Sequence, residues 1–170
     1  MAQAAAEAID KALPPGILPR LLLTWRAPSR VMRAQVALSD PALLMVLMVA
    51  MALFFVAQLP VHNRAALIDP AIPVEARLGG ALFAVMGLMP LLAYGLASLV
   101  SLLSRGRISG HASRVALFWS LMAISPAMLL CGVVAGYLGA SPGLQLLQLA
   151  TLAAFLRFWF AGLNALRVRA

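Results

Sequence analysis

Four apolar runs, at residues 42–59, 78–103, 115–137 and 144–166, dominate this 170-residue chain. A helix needs roughly 20 apolar residues to cross the hydrocarbon core of a bilayer. Three runs reach that length and the first falls just short. The expected fold is therefore all-α: an integral membrane bundle of four transmembrane helices over residues 41–170, preceded by a separate segment at 1–40. Composition agrees, because 64% hydrophobic and 11% charged residues, with a mean hydropathy of +0.98, lie far from a soluble globular average.

The basic residues give the runs a direction. Lys11, Arg20, Arg26, Arg30 and Arg33 precede the first run, Arg105, Arg107 and Arg114 lie between the second and third, and Arg167 and Arg169 follow the fourth. Only Arg64 and Arg77 fall on the other side. Basic loops favour the cytoplasm, so both termini are expected there, in a bacterial inner membrane given the excess of arginine over lysine. A net charge of +8 can also signal nucleic acid. Here the arginines flank apolar spans and do not line a polar domain, which points to anionic phospholipids and no nucleic acid.

Residues 1–40 form their own element. Pro14, Pro15 and Gly16 end any short helix over 4–13. Glu7 and Asp10 ahead of any apolar stretch, with Arg20 interrupting the first candidate core, argue against a cleavable signal peptide. Over 17–38, Leu21, Leu22, Trp25, Val31, Met32 and Val36 alternate with Arg20, Arg26, Arg30 and Arg33, the last three spaced to share one helical face. This pattern predicts an amphipathic helix in the headgroup layer, split at Pro28, with Arg20, Trp25, Arg26, Arg30 and Arg33 as interface contacts. A plain basic flank that only sets orientation is the alternative. Ser39 or Asp40 then caps the first span, with Pro41 in its first turn.

Small residues mark packing seams. Ala93, Ala97 and Ser101 in the second span and Gly132 and Gly136 in the third recur every four residues, a spacing that lets helices approach closely. The glycine pair fits either a contact between two copies or one within the bundle. Kinks are expected near Pro90 and Pro126.

Chemistry has little to stand on. None of Glu7, Asp10, Asp40, Asp69 and Glu75 lies in an apolar run, and His62 and His111 are also outside them, whereas ion and proton paths need such groups inside. Asp69, Glu75 and His62 match no metal-ligand spacing. Cys131 has neither base nor cation in its span, which keeps it an apolar thiol. Ser125 before Pro126 lacks a nucleophile-elbow pattern, and there is no glycine-rich phosphate loop, so no enzyme activity and no cofactor are expected. The 105–114 loop, with Arg105, Arg107, His111 and Arg114, reads as a topology-setting loop or a lipid-phosphate contact. Arg157 is the one charge inside a run. It either snorkels past Phe158, Trp159 and Phe160 to the interface or turns inward toward Ser98, Ser101 or Ser120. Gln145 and Gln148 are expected to hydrogen-bond between helices.

The segment Thr24-Trp25-Arg26-Ala27-Pro28-Ser29-Arg30-Val31-Met32-Arg33 resembles the amino-terminal motif of alphaproteobacterial Yip1-family membrane proteins. Ala116-Leu117-Phe118-Trp119-Ser120-Leu121, Ser125-Pro126 and Val134-Ala135-Gly136-Tyr137-Leu138-Gly139 are similar to that family's hairpin, and Phe158-Trp159-Phe160 with Gly162-Leu163 extends the resemblance over most of the chain. It implies a multi-spanning, noncatalytic protein, either a membrane organiser or an accessory subunit with a membrane-protein partner or a second copy. The family is usually drawn with five spans, against four here, and the acidic tyrosine-glycine-proline motif of its eukaryotic members is missing. A small transporter or channel subunit is the competing class.

Overall fold

The computed structural model describes residue 11 and residues 13–167. The short helix expected over 4–13 and Arg169 lie almost entirely outside that range. Among the described residues there are helices and turns and no strand. The helices are α1 (Ile17–Arg26), α2 (Pro28–Gln35), α3 (Asp40–Ile68), α4 (Val74–Leu103), α5 (Gly110–Leu138) and α6 (Pro142–Ala165). Those from α3 onward have 24 to 30 residues and are apolar enough to cross a membrane. At 1.5 Å per residue even the shortest reaches about 36 Å, longer than a hydrocarbon core of about 30 Å. The chain is an all-α, multi-pass membrane bundle of four spans.

Both boundaries of the first connection differ from the sequence expectation, and prolines shape the helices on either side of it. The first span does not stop at Pro60, because α3 runs on to Ile68. A proline costs its helix one backbone donor, a loss that membrane helices tolerate when a neighbour packs on the site. Here Gly136 of α5 lies directly against the Pro60 ring, and Arg64 one turn later is tied to the end of α5. The connection between the first two apolar runs shrinks accordingly to a turn after Ile68. That turn is held by Arg77, which reaches the Asp69 carboxylate at 3.0 Å and the Ile72 carbonyl at 3.2 Å.

The second span begins at Val74, and its turn Phe83–Leu88 is π-helical. Pro90 has no N–H for the Met86 carbonyl four residues back, so the ladder widens where its register fails. By contrast α5 remains α-helical through Pro126.

α5 is the axis of the bundle. It buries 56% of its most apolar stretch inside the protein, against 17% for α4. Val115, Phe118, Trp119 and Ala123 of α5 meet Leu43, Leu47 and Met51 of α3, Val85 and Ala97 of α4 and Phe158 of α6. Leu21, Val31 and Met32 belong to the same core, so residues 17–35 do not stand apart from the bundle. The chain does break at Ala27, whose extended φ of −136° lets α2 start at Pro28. Arg26, Arg30 and Arg33 remain exposed, but this break puts Arg26 on α1 and the other two on α2, so no single helical face carries all three. The opposite sides of α1 and α2, with Thr24, Val31, Met32, Ala34 and Gln35, are buried.

Candidate functional site

The packed amino-terminal helices create the most specific polar geometry in the protein. Thr24 is fully buried; its Oγ1 donates to the Arg20 carbonyl at 2.8 Å and accepts the Trp119 indole N–H at 3.0 Å. One residue further along α1, Trp25 donates its indole N–H to the Ala123 carbonyl at 3.2 Å. That carbonyl lies next to the Met122 carbonyl, which Pro126 leaves without its helical partner. Trp119 and Ala123 stand about 14 and 20 Å along α5 from Gly110, so α1 crosses α5 well inside its length. Trp25 also meets the Phe158 ring edge-on, with centroids 5.1 Å apart.

Arg157 completes this contact. It is exposed, and its Nη1 donates to the Trp25 carbonyl at 3.1 Å while the guanidinium sits 5.8 Å from the Phe158 centroid. It thus caps the carboxyl end of α1, where free carbonyls and the helix dipole both favour a cation. No hydrogen bond joins it to Ser98, Ser101 or Ser120, so the inward alternative is corrected. Arg157→Gln is expected to lower stability in detergent by about 1 kcal/mol. The same change should raise amide exchange in α1 while leaving α5 protected, measured by hydrogen–deuterium exchange.

A second cluster lies at the amino-terminal ends of α3 and α5. The Asp40 carboxylate accepts both of its oxygens' hydrogen bonds from Arg114 Nη2, at 3.0 and 3.2 Å, and faces His111 Nδ1 at 3.0 Å. His111 Nε2 lies 3.1 Å from the Val36 carbonyl. Carboxylate and carbonyl both accept, so the doubly protonated imidazolium satisfies both contacts and a neutral ring only one. Arg114, expected at lipid phosphate, is engaged by this internal acid because the two helix starts sit side by side.

Arg105 and Arg107 lie in the turn between α4 and α5. Ser104 Oγ donates to the Ser101 carbonyl at 2.7 Å and accepts the Ile108 N–H at 3.1 Å, and Ser101 Oγ donates to the Ile108 carbonyl at 3.1 Å. These bonds hold Arg105 at a φ of 51°, a left-handed conformation costing about 1 kcal/mol or more outside glycine. Arg105, Arg107 and, from the end of α6, Arg167 are exposed. Arg20 is half-buried, with Nε on the Pro14 carbonyl at 3.1 Å.

The packing candidates fall inside the chain. Gly132 lies against the Ala57 backbone and Gly136 against Pro60, both in α3, so this seam is a contact within the bundle. Ala93 and Ala97 are buried, and Ser101 instead serves the turn. Gln145 and Gln148 are exposed and make no hydrogen bond among the described residues, contrary to expectation.

Three further buried hydroxyls and the thiol are internally engaged, whereas Ser113 Oγ is buried without a hydrogen-bond partner among the described residues. Ser120, Ser125 and Thr151 each donate to the carbonyl four residues back, and Cys131 lies 3.6 Å from Thr151 Oγ1. Among the described residues no group of three His, Cys, Asp or Glu side chains could hold a metal ion. At the opposite end Arg64 donates to the Gly136 and Tyr137 carbonyls at 3.3 and 2.8 Å, a cap on α5 that charge counting had assigned to a loop. Family models, curated proteins and solved structures gave no match to this chain.

Proposed function

We propose that this chain is a noncatalytic multi-pass protein of a bacterial inner membrane, with both termini cytoplasmic. It organises that membrane or serves as an accessory subunit of a larger membrane complex, as its resemblance to the Yip1 family implies. The observation that carries this reading is the distribution of polar groups. Within the spanning helices, acidic and histidine side chains are confined to the end turns, where the longer α3 now includes His62 beside Gln58 and α5 begins with His111 on Asp40, and the buried hydroxyls of Ser120, Ser125 and Thr151 are engaged by their own helices. Such an interior offers an ion or proton no relay. Much of the apolar surface of α4 and α6 faces outward, where lipid or another membrane protein can meet it.

The exposed Arg26, Arg30 and Arg33 supply an anionic-lipid contact worth about 1 kcal/mol per residue near the surface. A small transporter or channel subunit is the second reading. It draws on a cavity of about 340 Å³ where Gln148, Thr151 and Cys131 line a space beside Phe54 and Phe155. Purification in native nanodiscs at natural expression, followed by mass spectrometry, is expected to find a stoichiometric membrane-protein partner. A purified homo-oligomer that carries solute across liposomes would reject the accessory role in favour of the transporter.

A further inference from the structure

At the arginine-rich end of the bundle, a cavity of about 560 Å³ opens between the α4–α5 turn and the end of α6. Arg105, Arg107 and Arg167 line it, with the Asn164 amide and the Phe160 ring beside them. No acidic side chain is in its lining. The described carboxylate at this end, Asp40, is already held by Arg114 and His111, while Asp69 and Glu75 belong to the opposite end of α4. Three guanidiniums brought together from two segments repel one another unless an anion joins them.

The turn that presents two of them is fixed in advance. The Ser101 and Ser104 hydroxyls tie it to Ile108, and the left-handed Arg105 with Gly106 at a φ of 80° sets where the two arginine side chains depart. Guanidinium forks suit phosphate oxygens, which they bind by paired hydrogen bonds. The apolar share of the lining distinguishes the source. Phe160 is 55% exposed and Leu103 72% exposed at this rim, which is unfavourable beside a free hydrated ion and favourable beside glycerol and acyl carbons. Basic pockets between transmembrane helices bind anionic headgroups by this combination.

We propose that this cavity is a binding site for the phosphate of one anionic phospholipid, with Arg105, Arg107 and Arg167 as its donors and Asn164 as a neutral donor. The site gives the lipid contact of the proposed function a location. It rests on the chain being membrane-embedded and not on the accessory role. Its readout is retained lipid, so its failure is distinct from failure to find a protein partner.

The test uses the full chain in neutral detergent, titrated with phosphatidylglycerol or phosphatidylcholine and read by native mass spectrometry. Replacing Arg105, Arg107 and Arg167 together with Gln should weaken phosphatidylglycerol binding on the order of 100-fold, about fivefold per arginine, and leave phosphatidylcholine unchanged. The single change Arg107→Gln should cost about fivefold, and it carries the test if the triple variant does not fold. Arg26, Arg30 and Arg33 replaced together with Gln remove the same charge from an open surface; their attraction depends on a charged bilayer, which neutral detergent lacks, so this variant should lose less phosphatidylglycerol binding than the cavity variant. Unchanged phosphatidylglycerol binding in the cavity variants would overturn the site, as would an equal loss in the two triple variants. Displacement of the lipid by equimolar inorganic phosphate would assign the cavity to a soluble anion instead.

Discussion

Gly132→Leu is expected to abolish the folded bundle. A Cβ at this position would come within 2.7 Å of the Ala57 carbonyl carbon and 3.0 Å of its Cα. These are backbone atoms of α3, so no rotamer change relieves the clash. The helices would have to separate, and Leu43, Leu47 and Met51 would be drawn out of register with α5. Overpacking where side chains can yield costs about 1–3 kcal/mol, and a collision with rigid backbone exceeds that range. Gly95→Ala is the internal control. Nothing lies within 4 Å of its added methyl, and replacing a mid-helix glycine there should stabilise by about 0.5–1 kcal/mol. Size-exclusion profiles of fluorescently tagged protein extracted from membranes separate the two results. A well-folded Gly132→Leu that merely shifts from dimer to monomer would place this seam between copies and refute the α3–α5 packing.

Trp119→Ala carries the second large effect, about 3–5 kcal/mol for loss of a fully enclosed indole. Lipid is as apolar as the protein interior, so the cost arises from lost close packing more than from water. A hydrogen-bond term adds to it, because Thr24 loses the indole donor while remaining fully buried. Trp119→Phe separates the two contributions. It keeps most of the ring and removes the donor, and should cost about 1–2 kcal/mol. Thermal unfolding in detergent gives the total, and amide exchange across α1 shows whether α1 detaches. If Trp119→Ala and Trp119→Phe prove equally mild, α1 does not depend on this contact.

The spans were legible because run length and hydropathy report directly on transfer into hydrocarbon, and residues 78–103 foretold the carboxyl end of α4 at Leu103. The end of α3 was not, since proline reads as a stop in a single helix. Only a partner such as Gly136, more than seventy positions away, reveals that the ring is accommodated. Basic residues were legible as charges but not as partners. Arg64 looked like a loop residue and caps α5, Arg114 looked like a lipid contact and holds Asp40, and Arg157 binds a carbonyl 132 positions earlier. One signal was present and unused. Thr24 is a lone hydroxyl on an otherwise apolar side of α1, and such a group implies a buried partner.

The docking of α1 and α2 has a consequence for synthesis. Trp119 and Ala123 lie on α5 and Phe158 and Arg157 on α6, so the amino-terminal helices are fully seated only when both of these spans are in the membrane. Before α5 is inserted Thr24 and Trp25 lack their hydrogen-bond partners, and Arg26, Arg30 and Arg33 can keep the segment at the headgroups. Closure across so many residues is slow compared with local helix formation. The amino-terminal helices therefore act as a clasp with two catches, and a chain truncated before α6 keeps the catch on α5 and loses the one made by Arg157 and Phe158.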